Sequence, residues 1–171
     1  MRRISAVFVA LVALLVLAAG AGAHKPDLMK PARAGPVRRG VTTVSDLKER
    51  FGQPTARKVI KVACVRVTKA RWGHKLVVYV ERDGEGTVDA VFVKKRTMRS
   101  RRGPLSVHTR KGLRVGDGER RLRRLYPRSK GVTHGGHTHY RLKTGRYGSY
   151  LMAKVIGGKV IRFEAWPYEF C

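Results

Sequence analysis

Negative charge is what this 171-residue chain has least of: 11 Asp and Glu stand against 38 Lys and Arg, a formal net charge of +27. Such an excess repels itself and attracts polyanions, so it bears on association more than on fold. The acids are scattered. Asp46, Glu49, Asp117 and Glu119 fall at helix starts or on solvent faces, and Asp83 and Glu85 fall in a turn. No pair of carboxylates nominates itself for glycoside hydrolysis, which needs two of them close in space. A Gly-x-Ser-x-Gly nucleophile elbow is missing. So is the Gly-rich loop closing on Lys-Ser/Thr that cradles phosphates.

Cysteine is nearly absent, with Cys64 and Cys171 the two present. Cys64 sits inside a strand pattern and Cys171 is the last residue, and neither position suggests an activated thiol. Long apolar runs are also scarce. One, Ile4 to Ala19, follows Met1-Arg2-Arg3 and precedes Ala19-Gly20-Ala21-Gly22-Ala23. It falls short of the roughly 18–20 residues that span a bilayer. A basic start, an apolar middle and a small-residue end make residues 1–23 a cleavable signal peptide, with an uncleaved anchor as the competing reading. The mature chain then begins near His24 and is secreted or held in the cell envelope, with no further transmembrane segment. An even cysteine count in an exported chain suggests a Cys64–Cys171 disulfide, against two buried free thiols.

Residues 24–40 carry Pro26, Pro31 and Pro36 with Gly35 and Gly40, and read as a flexible linker. Beyond it the pattern is of a unit used twice. Val44, Leu47 and Phe51 fall on one helical face behind Thr42 or Thr43 as cap, with Asp46 in the first turn and Gly52 and Pro54 as the stop. Asp117, Leu122, Leu125, Tyr126 and Pro127 repeat that layout, with Asp117 as the expected cap. Strand patterns follow each helix: 58–67, 75–81 and 87–95 after the first, 137–142, 147–156 and 159–166 after the second. In the last, Ile161, Phe163 and Ala165 alternate with Val160, Arg162 and Glu164, so the first set should face the core. The expected fold is α+β: two tandem copies of a short helix followed by a three-stranded antiparallel meander, helices packed on the sheet. The copies span 41–97 and 112–171, joined by a basic linker at 98–111.

Thr42–Pro54 resembles the helix of the small outer-membrane assembly lipoprotein family. Gly112–Pro127 resembles the matching segment of exported proteins with that unit. The doubled arrangement is similar to the β-lactamase inhibitor protein fold. These resemblances imply a fold of helix-plus-sheet units and bear on function far less. The lipid-attachment cysteine of the lipoprotein family is lacking here, and no inhibitory residues match one by one.

Two clusters carry the chemistry on offer. Arg99, Arg101, Arg102, Arg120, Arg121, Arg123 and Arg124 lie in and after the basic linker. Their guanidinium forks suit phosphate or carboxylate groups, and a solvated face is the plainer alternative. Tyr126 is the one aromatic among residues 93–130, so the stacking platforms of single-stranded nucleic-acid grooves are missing there. The second cluster is His134, His137 and His139 around Gly135-Gly136. Three imidazoles suit zinc or copper, though the spacing fits no fixed motif and no carboxylate within the cluster orients them. A polar turn entering a strand is the alternative. The expected function is a non-catalytic exported binding or scaffold domain, without a cofactor. Its partner would be an acidic protein or a cell-wall polyanion rather than a specific nucleic acid, with inhibition of a secreted enzyme as the more specific form. The alternative is a metal-dependent hydrolase built on the three histidines.

If Cys64 and Cys171 pair, titration of the unreduced, denatured protein finds no free thiol, and reduction lowers stability by about 4–5 kcal/mol in the chain-entropy account. Two titratable thiols before reduction exclude the bridge.

Overall fold

The computed structural model describes residues 28–62, 65–81, 86–145 and 149–166. The leader at 1–23, Cys64 and Cys171 lie outside these residues. The chain is mostly β, and the expected α+β tandem of three-stranded meanders is not what forms. Two short helices, α1 (Val44–Phe51) and α2 (Glu119–Leu125), accompany one eight-stranded antiparallel sheet.

That sheet is built from two four-strand runs. The first is β4 (Ala56–Val62), β5 (Val65–Trp72), β6 (Leu76–Glu81) and β7 (Val88–Val93). The second is β11 (Gly131–His134), β12 (His137–Thr144), β13 (Tyr150–Ile156) and β14 (Lys159–Trp166). They join edge to edge where β14 pairs antiparallel with β7, Phe163 opposite Val93 and Ala165 opposite Val91. Each run therefore has one strand more than the sequence suggested. The pattern read as one strand at 58–67 is two, which meet at the pair Val62–Val65. No Gly, Pro, Asn or Asp marks that junction in the sequence, so the usual turn signal is missing. The stretch read as a polar turn before residue 137 is β11, short and fully exposed. Gly135 and Gly136 connect it to β12 at φ 53° and 74°, a two-residue connection that needs left-handed backbone at both positions.

Residues 28–38, expected as a flexible lead-in, contain β1 (Leu28–Lys30), β2 (Arg33–Ala34) and β3 (Val37–Arg38). Met29, Ala34 and Val37 are buried in the main core. The basic linker also has structure: β8 (Thr97–Ser100) and β9 (Gly103–Ser106) form a hairpin, and β10 (His108–Thr109) runs parallel to β1. Strands of two to four residues carry too little alternation to be read against Pro, Gly and Arg.

Both helices, the four-stranded sheet β10–β1–β2–β3 and the β8–β9 hairpin cover one face of the large sheet. There, Tyr140, Ala153, Phe163, Val93, Leu76 and Trp72 stand side by side across six strands. All six are buried. Helix α1 begins as expected: Thr43 N–H donates to Asp46 Oδ2 at 2.8 Å and Asp46 N–H returns to Thr43 Oγ1 at 3.1 Å, a reciprocal cap. Helix α2 does not. Gly118 is its N-cap, and Asp117 instead accepts from Arg114 N–H at 2.9 Å in the preceding turn. The expected alternation in β14 holds for Phe163 and Ala165. It fails before them, because an irregularity opposite Lys154–Val155 turns Val160 into the core and leaves Ile161 exposed.

The Tyr140 hydroxyl donates to Glu119 Oε1, and Arg123 Nη2 reaches the same oxygen at 2.8 Å. These bonds, the tyrosine first, hold the Glu119 carboxyl below its ordinary range. A depressed acid contributes stability that is present above its unfolded value, about 4.3, and lost as pH falls through the folded one. Tyr140→Phe should cost roughly 1–2 kcal/mol at neutral pH. It should also shrink the acid-side loss of stability, read by urea unfolding from pH 7 to 3.

Candidate functional site

The sheet face turned away from the helices carries charge in ordered rows, because alternate residues of each strand point to it. One row runs Val132, His139, Lys154, Arg162 across β11 to β14. The next runs Arg141, Met152, Glu164, Phe92, Val77, Arg71. Glu164, only 3% exposed, lies in this field. Its Oε1 accepts from Arg162 Nε at 2.5 Å and lies 3.5 Å from His139 Nε2. Cations crowd one another around it. Burial first, then neighbouring Lys and Arg, lowers the Lys69, Lys94 and Lys154 ammonium groups from their ordinary value. Lys69 sits over the Tyr79 ring and Arg162 over Phe92, at 5.7 and 5.2 Å from the centroids.

His134, His137 and His139 do share this face. His134 opposes His137 across β11 and β12, with ring centroids 6.3 Å apart, and His137 meets His139 edge-on at 4.9 Å. His137 Nδ1 lies 3.1 Å from the Gly135 carbonyl. Among the described residues, no group of three or more His, Cys, Asp or Glu side chains is placed to hold a metal ion. The carboxylate that the cluster lacked in sequence comes from Glu164, two strands away, and it serves Arg162 as well.

The seven arginines singled out by sequence are all exposed, but they form two separate groups. Arg99, Arg101 and Arg102 belong to the β8–β9 hairpin beside α1, where Arg102 Nη2 pairs with Glu49 Oε1 at 2.8 Å. Arg120, Arg121, Arg123 and Arg124 ride on α2. Arg121 is 3.3 Å from Asp117, and Arg123 is engaged with Glu119.

A third group was missed. At the C-terminal end of α2 lies a cleft of about 870 Å³. Lys30, Arg110, Lys111, Arg128, Arg141 and Lys143 line it, and among the described residues no Asp or Glu does. All six are exposed. Lys111 Nζ donates to the Leu125 carbonyl at 2.7 Å, which satisfies one of the open carbonyls at the helix end. Its ammonium also sits 5.0 Å from the Tyr126 ring centroid. Arg128 and Arg141 continue into a neighbouring recess of about 500 Å³ with Lys130, His134 and His139. The six come from β1, the segment after β10, the segment after α2, and β12. Arg110, Lys111 and Arg128 fall within the basic stretch of residues 94–130, but only folding brings Lys30, Arg141 and Lys143 to them.

No family model, curated protein or solved structure matches the chain. The likeness to the assembly lipoproteins and to the inhibitor fold therefore gains no support. No described helix is long and apolar enough to cross a membrane.

Burial, the largest influence, lowers the His139 imidazole below its ordinary value, with Lys154, His137 and Arg162 adding to this and Glu164 opposing it. An imidazole depressed on folding contributes stability present above the unfolded value, near 6.5, and lost as pH falls. Replacing His139 by Gln should flatten the stability profile between pH 7 and 5 in urea unfolding. A profile unchanged by the substitution would show that His139 titrates alike in both states.

Proposed function

We propose that the protein is an exported, non-catalytic binding module for anionic partners, and that it binds them at the cleft below α2 rather than along the helix. Export rests on the leader pattern of residues 1–23. The cleft is supported by one observation above all: six exposed cations around one concavity, with no acid among the described residues of its lining. Like charges gathered this way cost free energy in the unliganded protein. An anion that neutralises them relieves that cost, and Arg forks meet phosphate or carboxylate oxygens in pairs. The arginines of α2 are less suited, because Arg121 and Arg123 already face Asp117 and Glu119.

The far end of the molecule offers a comparison. The recess at the C-terminal end of α1 is about 240 Å³, with Lys75 and Arg99 as its cations. A large cleft lined by six cations is thus not a simple consequence of placing a helix end against this sheet. The competing reading, a metal-dependent hydrolase on His134, His137 and His139, has less in its favour, since no group of three or more His, Cys, Asp or Glu among the described residues is placed to hold a metal ion.

Heparin affinity across a salt series tests the proposal. Binding driven by counterion release falls steeply with salt, on the order of 10³-fold between 50 and 200 mM for a ligand making several contacts. Exchanging Arg128, Arg141 and Lys143 for Gln should flatten that slope markedly, while exchanging Arg120 and Arg124 should change it little. The reverse ranking would return the site to α2.

A further inference from the structure

The cleft has a floor as well as a rim. Beneath the cations lie Leu28, Met29, Tyr126, Leu142 and Leu151. Met29 and Leu151 are buried, Leu28, Tyr126 and Leu142 are half-buried, and the last two pack at the margin of the core. A polymer that binds by charge alone makes no use of such a floor. Rim and floor together match a ligand with a charged end and an apolar end. The volume, about 870 Å³, falls in the upper part of the roughly 300–1,000 Å³ range of small-molecule sites.

Building on the anion-binding reading above, we infer that the cleft takes a single-chain amphiphile with a phosphate head, its alkyl chain against the half-buried Leu28, Tyr126 and Leu142. Six cations favour a head that carries up to two charges and three acceptor oxygens over a carboxylate with one charge and two. Arg110, Arg128 and Arg141 supply planar forks for those oxygens, and Lys30 and Lys143 supply point charges. The chain replaces water on the apolar floor. Leu28 and Leu142 stand on different elements, β1 and the irregular step of β12 between Arg141 and Lys143. That irregularity sets Lys143 opposite the core residue Leu151, on the same side of the sheet as Leu142, where strict alternation would send it to the other face.

The test titrates the full chain with inorganic phosphate and with butyl, octyl and dodecyl phosphate, each below its micelle concentration, and with dodecanoate and heparin as comparisons. Each methylene buried is expected to tighten binding by about threefold to fourfold until the floor is filled. Dodecyl phosphate should bind more tightly than dodecanoate. A double variant, Leu28→Ser with Leu142→Ser, should lose most of the chain-length dependence and keep heparin affinity and its salt slope. Equal affinity for all the alkyl phosphates, with heparin still bound, overturns the amphiphile and leaves the anion-binding reading standing. A chain-length dependence unchanged in the double variant also overturns it, by placing the chain elsewhere. A tighter carboxylate overturns the choice of head. Failure of heparin and phosphates alike overturns the anion-binding reading itself.

Discussion

The row Tyr140–Ala153–Phe163–Val93–Leu76–Trp72 is the contact on which the remaining structure depends. It crosses the junction of the two four-strand runs, so burying it makes one sheet of both. Its ends carry the polar handles that seat the helices. Trp72 Nε1–H donates to the Gly52 carbonyl, just past α1, at 2.8 Å. The Tyr140 hydroxyl donates to Glu119, the first residue of α2. Large aromatics suit these places, because each buries wide apolar area and still presents one hydrogen-bonding atom. The starts of the helices are tied to the sheet as well, by Val88 N–H to the Thr42 carbonyl and Glu119 N–H to the Gly158 carbonyl, at 2.8 and 2.7 Å.

Charge imposes the second constraint. Every acid whose side chain is described has a partner, and most stand at joints. Asp46 caps α1, Glu49 ties the β8–β9 hairpin to it, and Asp117 closes the turn before α2. Glu119 joins α2 to the sheet, Glu164 anchors the cationic face, and Asp89 is also engaged. Carboxylates so occupied do not neutralise the rim of the cleft. Its positive field is what remains once the described acids are committed to holding elements together.

The helices were legible because their signals are local. Thr43 with Asp46, and Val44, Leu47 and Phe51 at helical spacing, place α1 within a residue of where it forms. Asp117 was misassigned as a cap because a carboxylate next to a helix start looks alike whether it bonds forward or back. Strand number was lost at the unmarked Val62–Val65 junction and at the exposed β11, whose Gly135-Gly136 turn was read without a strand before it. A single irregularity in β13–β14 sufficed to exchange Val160 and Ile161 between faces. The site was the least legible part. Arginine density drew attention to α2, whereas Lys30, Arg110, Arg128, Arg141 and Lys143 come from four separate parts of the chain and meet only in the fold. Likewise, Glu164 reaches His139 only through sheet pairing.

The central claim is the location of the anion site, and a residue-resolved map tests it most directly. Amide and side-chain guanidinium NMR signals would be followed while a short heparin oligosaccharide is added. The account predicts that shifts concentrate on Lys30, Arg110, Lys111, Arg128, Arg141 and Lys143 and on the backbone beside them. Shifts confined to Arg120 and Arg124, or to Arg99 and Arg101, would contradict it.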